Sequence, residues 1–300
     1  MYDILIIGGG PGGICAAIYA KRANKKVAII ERAVPGGQVA EIGKIENYPG
    51  FTCISGSDLS LNFYNQAKSL GIEFIFDEAV SFKLRGKVKR VECSQGTYEA
   101  KTIIIAIGSN PRELNVPGER KFFGKGVSYC AICDANFFKG QKVAVVGSGD
   151  SAFSNAVYLS NICSSVDIFA KNNLEKLKAY SEDMMKKYKN ITVHKNVKVL
   201  DVVGKDKVEG LKYEENGQEK TTKFNGIFVA IGRTPDTAKF EGQLKLNEKG
   251  YIITKNEVFT NIKGVFACGD VCESALKQIV VAASGGATAA LRAIEYLSKN

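Results

Sequence analysis

The chain has 300 residues, 45% of them hydrophobic, which is enough for two compact domains that each bury a core. No run reaches the roughly 18 uninterrupted apolar residues of a membrane span, and Met1-Tyr2-Asp3 leads directly into a strand with no cleavable signal, so a cytoplasmic protein without a membrane partner is expected. The net charge of +10, from 41 Lys and Arg against 31 Asp and Glu, is dispersed and lacks any nucleic-acid motif, so it favours an acidic protein partner over DNA or RNA.

Residues 3–7, Asp-Ile-Leu-Ile-Ile, predict a short buried strand, and the spacing from Ile14 to Arg22 predicts a helix. Between them lies Gly8-Gly9-Gly10-Pro11-Gly12-Gly13. In a strand–turn–helix unit of this kind Gly8 permits the tight turn, Gly10 lets the backbone approach a pyrophosphate, and Gly13 lets the helix pack on the strand. The next strand, Val27 to Ile30, ends in Glu31, placed to bind a ribose hydroxyl. A dinucleotide site follows from these residues together.

The pattern repeats further on. Lys142 to Val146 reads as a strand, Gly147-Ser148-Gly149-Asp150-Ser151-Ala152 as a second glycine turn, and about Ala152 to Ser160 as a helix. The following strand, Val166 to Phe169, runs into Ala170-Lys171-Asn172-Asn173, where a ribose-reading carboxylate or a basic cluster belongs. Neither is present, and Lys171 is the one basic residue. Near the C-terminus, Gly264-Val-Phe-Ala-Cys-Gly269-Asp270 ends a strand in Gly-Asp, a place for an acid to meet a sugar hydroxyl and for amides to meet phosphate. The last sixty or so residues therefore complete the first fingerprint. The expected fold is α/β, with two Rossmann-like, three-layer nucleotide-binding domains, the second inserted into the first: residues 1–112 and 242–300 around 113–241.

Upstream of the second glycine turn stands Cys130-Ala131-Ile132-Cys133-Asp134. Short CxxC spacing suits a pair that opens and closes as a disulfide with little backbone motion. Asp134, beside the second sulfur, is the candidate acid and base, with a turn or cap role as the alternative. The other six cysteines, Cys15, Cys53, Cys93, Cys163, Cys268 and Cys272, read as small buried hydrophobes. His194 reads as a surface residue at a strand end. With no second close Cys or His pair, no metal site is expected.

These segments, with Gly36-Gly37-Gln38, Glu46-Asn47-Tyr48-Pro49-Gly50, Ala106-Ile107-Gly108 and Gly269-Asp270-Val271, resemble the low-molecular-weight thioredoxin reductases over nearly the whole chain. The resemblance implies a homodimer and FAD held through Gly8, Gly10, Gly13, Glu31, Gln38, Asn47, Asp270 and Lys277-Gln278-Ile279. It also implies that Cys133 faces the flavin while Cys130 attacks the disulfide of thioredoxin.

Three positions depart from the family pattern. Ala170-Lys171-Asn172 replaces a His-Arg-Arg cluster that binds the NADPH 2′-phosphate, Ser154-Asn155 replaces a Glu-Glu pair, and Lys277 replaces an arginine with a point charge. The first two, with the basic surface, favour the ferredoxin-dependent flavin thioredoxin reductases and an acidic ferredoxin as donor. About 130 mV, or roughly 6 kcal/mol for two electrons, separates a typical ferredoxin from thioredoxin. NADPH or NADH is the alternative donor, and a flavin-binding redox sensor without turnover is a third reading that the complete Cys-Ala-Ile-Cys-Asp segment disfavours.

Overall fold

The structure is a computed structural model and describes residues 1–171, 187–273 and 276–299. Two compact units are present, Met1–Asn110 together with Thr234–Asn300, and Pro111–Arg233.

The first unit begins with β1 (Tyr2–Ile7), α1 (Pro11–Arg22), β2 (Val27–Glu31), α2 (Gly56–Ser69), β3 (Glu73–Phe76), β4 (Ala79–Lys83), β5 (Lys89–Cys93) and β6 (Thr97–Ile105). β1 lies centrally, parallel to both β2, with Ile4 opposite Val27, and β6, with Ile4 opposite Thr102. Its near-continuous apolar sequence fits a strand covered on both faces. The nine-residue β6 divides its other edge: residues 97–100 pair antiparallel with β5, and Ile103–Ile105 pair parallel with Val265–Ala267. That fork brings the C-terminal segment into the first sheet.

Side-chain alternation along β1 separates two cores. Leu5 and Ile7 pack with Ile30, Phe82, Val91 and Phe240 on one face. Ile4 and Ile6 pack with Ile29, Ile14 of α1, and Ala289 and Ala293 of the C-terminal helix Ile279–Lys299 on the other.

In the second unit five parallel strands stand in the order Ile191–Lys195, Ser165–Ala170, Lys142–Val146, Gly226–Val229, Val127–Ser128. The short helix α3 (Ala131–Asp134) and α4 (Asp150–Ser160) cover one face, where Phe153 and Leu159 pack on Val143, Val145 and Ile168. An antiparallel sheet of Val197–Gly204, Val208–Glu215 and Gln218–Lys223 covers the other through Leu211 and Tyr213 against Ala144, Val146 and Phe169. Both units are thus three-layer and Rossmann-like.

Three details differ from the sequence expectation. α4 starts at Asp150, because the extended Gly149 already serves as its N-cap. His194 is half-buried within the Ile191–Lys195 strand, its ring stacked on Phe169 at 4.7 Å and its Nδ1 on Glu215 at 3.1 Å. Cys53 is exposed and Cys15 half-buried, whereas Cys93, Cys163, Cys268 and Cys272 are buried. Among the described residues, no helix is long and apolar enough to cross a membrane, and no group of three or more His, Cys, Asp or Glu could hold a metal ion.

Candidate active site and cofactor cradle

In the first unit β1 passes into α1 through the glycine turn. Gly8 has φ +102°, and a Cβ there would stand 2.5 Å from the Ala106 carbonyl oxygen. A Cβ at Gly13 would collide with the Gly8 carbonyl, so the helix can only lie this close to the strand without a side chain. Gly10, the N-cap of α1, has no side-chain cap, and a Cβ on it would meet nothing within 4 Å. The start of α1 therefore faces open space with its first-turn amides, the arrangement that receives a pyrophosphate.

Glu31 closes β2 and is 8% exposed. Its Oε2 accepts the Gly9 amide at 2.6 Å and its Oε1 the Ala33 amide at 2.8 Å. Each oxygen keeps lone-pair capacity for a ribose hydroxyl while the carboxylate is held in place. Gly8, Glu31, Arg32, Asp77, Ile107 and Lys239 line a cleft here.

The remaining expected cofactor residues form three clusters. Gln38 donates to the Ser109 carbonyl at 2.8 Å and to Asn110 Oδ1 at 3.0 Å. Asn47 donates to Gln278 Oε1 at 3.1 Å, joining segments far apart in sequence, and Ile279 next to it packs on the small core of Val39, Ile45 and Leu59. Asp270 sits in the 3-10 turn Gly269–Val271. Lys277 Nζ donates to the carbonyls of Asp270 at 3.1 Å and Cys272 at 2.6 Å and lies 4.5 Å from the Tyr251 ring centre. Its charge holds the Gly-Asp turn together, a tie that sequence alone did not reveal.

In the second unit Cys130 and Cys133 form a disulfide with Cα atoms 5.3 Å apart. Cys130 is the N-cap of α3, and its Sγ accepts the Cys133 amide at 3.2 Å. Asp134, at the end of the same turn, is half-buried, and burial pushes its carboxyl above the usual carboxylate range while a hydrogen bond from Ser128 opposes the rise. Ser128 Oγ donates to Asp134 Oδ2 at 2.6 Å and accepts the Cys130 amide at 3.0 Å. The buried Glu119 steadies the approach to the dithiol by accepting the Tyr129 hydroxyl at 2.9 Å and the amides of Leu114 and Asn115 at 2.8 Å each. Neither Ser128 nor Glu119 follows from motif or periodicity; the one hint is Ser128's place two residues before the first cysteine.

The four buried thiols are poorly suited to redox work. Burial pushes Cys93 and Cys163 up to about 11 and Cys272 to about 12, and holds Cys268 well above its ordinary value, so thiolate is scarce at neutral pH.

The second glycine turn joins Lys142–Val146 to α4, with Gly149 uncapped by any side chain and open space where its Cβ would be. The neighbouring strand ends at buried Ala170 and exposed Lys171. Asn172 and Asn173, which belong to the expected ribose-reading position, lie outside the described residues.

Residues 2–286 match the family model described as pyridine nucleotide-disulphide oxidoreductase. A thioredoxin reductase of Bacillus subtilis is 39% identical over all of this chain and 96% of its own length, and one of Ureaplasma parvum is 36% identical over all of this chain and 98% of its own. Among solved structures, thioredoxin reductase from Streptococcus pyogenes is 38% identical with a TM-score of 0.94, covering 100% of this chain and 99% of that one. A ferredoxin-flavin thioredoxin reductase from Clostridium acetobutylicum is 30% identical with a TM-score of 0.56, covering 100% and 99%. The cradle in the first unit fits FAD, the cofactor of these flavoprotein disulfide reductases: the chain belongs to the pyridine nucleotide-disulphide oxidoreductase family, within its low-molecular-weight thioredoxin reductase group.

Proposed function

We propose that this protein reduces the disulfide of thioredoxin through Cys130 and Cys133, with electrons that a nicotinamide nucleotide supplies by way of FAD. The observation that carries the reading is the Cys130–Cys133 disulfide with Asp134 tied beside it, in a unit that keeps a second glycine turn for a nucleotide. Bound FAD supplies the link between a two-electron donor and a protein disulfide.

The chain's own residues do the rest. Gly8, Gly10 and Gly13 shape the pyrophosphate seat, Glu31 binds the adenosine ribose, and Gln38, Asn47, Asp270, Lys277, Gln278 and Ile279 hold the flavin half. Once the pair is reduced, Cys130 attacks the thioredoxin disulfide and Cys133 resolves the mixed disulfide. Asp134, its carboxyl raised by burial, exchanges the proton that these steps require. Ile132 and Phe137, each 39% exposed beside the dithiol, offer thioredoxin an apolar contact. Exposed Val280, Val281 and Leu291 on the C-terminal helix support a homodimer.

A second reading replaces the nucleotide by reduced ferredoxin. It is favoured by the strand end at Ala170 and Lys171, which carries no carboxylate, by the +10 charge, and by the similarity to ferredoxin-flavin thioredoxin reductases. Relatives of higher identity are named simply thioredoxin reductases, which supports the nucleotide reading over this one. Anaerobic addition of NADPH, NADH and reduced ferredoxin in turn, followed by the flavin absorbance, tests the donor. Rapid bleaching by micromolar NADPH or NADH is expected. Bleaching by ferredoxin alone, with a rate that falls as salt shortens the screening length from about 30 Å to about 8 Å, establishes the second reading.

A further inference from the structure

The geometry points to Ser128 as a positioning residue of the disulfide exchange, one that ties the Asp134 carboxyl to the Cys130 backbone and reserves Oδ1 as the oxygen that carries the proton. This rests on the proposed thiol–disulfide chemistry and names a group that the motif does not contain.

Ser128 ends the two-residue strand Val127–Ser128, is 3% exposed, and lies two residues before the first redox cysteine. Its hydroxyl has one proton and two lone pairs. The proton goes to Asp134 Oδ2 at 2.6 Å, a short contact of the charge-assisted kind, in preference to the Cys130 carbonyl at 3.3 Å. One lone pair accepts the Cys130 amide at 3.0 Å. A single buried hydroxyl thus connects the carboxyl to the backbone of the attacking cysteine. Because Oδ2 is an acceptor in this bond, a proton on the carboxyl resides on Oδ1.

The electrostatics are simple enough to isolate the effect. Burial raises Asp134 and the hydrogen bond from Ser128 lowers it; α4, the helix packed on α3, carries Asp150 and Tyr158, and the 3-10 turn Ala135–Phe138 carries no ionisable side chain.

In the first step the Cys130 thiolate, its proton already lost to solvent, forms a bond to one thioredoxin sulfur. The thioredoxin S–S bond breaks, and the departing sulfur takes the proton from Asp134 Oδ1. In the second step Cys133 gives its thiol proton to the Asp134 carboxylate and bonds to Cys130 Sγ. The second thioredoxin sulfur leaves as thiolate and is protonated by water. Two electrons pass from the dithiol to thioredoxin, and Asp134 ends as it began.

The test is a double-mutant cycle on the flavin-loaded protein with Ser128→Ala, Asp134→Ala and both together, plus Ser128→Thr, which keeps the hydroxyl. Thioredoxin reduction should fall about tenfold in Ser128→Ala and recover in Ser128→Thr, and Ser128→Ala should change the rate by less than about twofold when Asp134 is already Ala. Independently of flavin, donor and thioredoxin, the dithiothreitol-reduced protein is alkylated with iodoacetamide across pH. Removing the hydroxyl should move the Asp134-linked inflection to higher pH, an effect absent in the Asp134→Ala background. Additive losses in the cycle, or an unmoved inflection in correctly folded Ser128→Ala, overturn the proposal. A wild-type protein that leaves thioredoxin oxidised, while the inflection still moves in Ser128→Ala, refutes the proposed substrate and leaves Ser128 as the positioning residue.

Discussion

Gly10 and Gly13 belong to one fingerprint, yet their replacement has opposite consequences. Gly10 has φ −74° and ψ −176°, an extended conformation any residue adopts, and open space within 4 Å of its Cβ position. Gly10→Val therefore alters the stability of flavin-free protein by no more than about 1 kcal/mol, the balance of a poorer N-cap against a stiffer unfolded chain. The new side chain instead occupies the space into which the pyrophosphate must come. Gly13→Ala forces a methyl into the Gly8 carbonyl, with Ile6 Cγ2 at 3.3 Å behind it. Overpacking of this kind costs about 1–3 kcal/mol. At about 2–4 °C per kcal/mol for a unit of this size, the melting point falls by roughly 2–12 °C. The assay is the flavin-to-protein absorbance ratio, combined with the thermal midpoint of protein stripped of flavin. Gly10→Val should be colourless and normally stable, and Gly13→Ala destabilised even without flavin. Full flavin occupancy in Gly10→Val, or an unstable flavin-free Gly10→Val, refutes the assignment of the cradle.

Further outcomes follow from the second unit. Cys130→Ser should abolish thioredoxin reduction, whereas Cys133→Ser should accumulate a mixed disulfide between Cys130 and thioredoxin on non-reducing gels; trapping only by the opposite variant reverses the two roles. Asp134→Asn keeps the shape of the side chain and removes its proton exchange, so turnover with thioredoxin should drop by about a hundredfold, at the low end for general acid–base catalysis, and an unchanged rate leaves Asp134 structural. His194 is raised above its ordinary value by Asp167, whose oxygen at 3.7 Å acts as a charge, and by Glu215 at 3.1 Å, against the opposing effect of burial. A raised folded value means its stabilisation is complete below about pH 6.5 and is lost as pH rises through the folded value. Chemical denaturation between pH 6 and 8 should therefore show a decline that His194→Phe lacks, and parallel profiles count against the ion pair.

Local patterns were legible in the sequence wherever chemistry and periodicity coincide. The apolar run of β1, the glycine turn and Glu31 predict a strand, helix and strand because each residue type has few other uses in that order. The CxxC pair reads as a disulfide for the same reason. Long-range pairings were less legible, since nothing in residues 97–105 announces that β6 splits its edge between β5 and Val265–Ala267, or that Asn47 meets Gln278. Periodicity could not reveal Ser128, because a two-residue strand has no period, and its place two residues before Cys130 was the one hint. The surface reading of His194 failed because a polar side chain beside lysine and asparagine looks solvated, while the fold stacks it on Phe169 and pairs it with two acids.

In the proposed reaction, electrons reach thioredoxin through Cys130 and Cys133. Its most direct test is anaerobic reduction of the flavin-loaded protein with NADPH or NADH, removal of the nucleotide, alkylation of one portion before and another after addition of excess oxidised thioredoxin, and mapping of the labelled cysteines by mass spectrometry. Label should appear on Cys130 and Cys133 before thioredoxin and be lost afterwards, with two new thiols on thioredoxin for each pair reoxidised. A flavin that bleaches while Cys130 and Cys133 stay unlabelled, or a labelled pair that leaves thioredoxin oxidised, contradicts it.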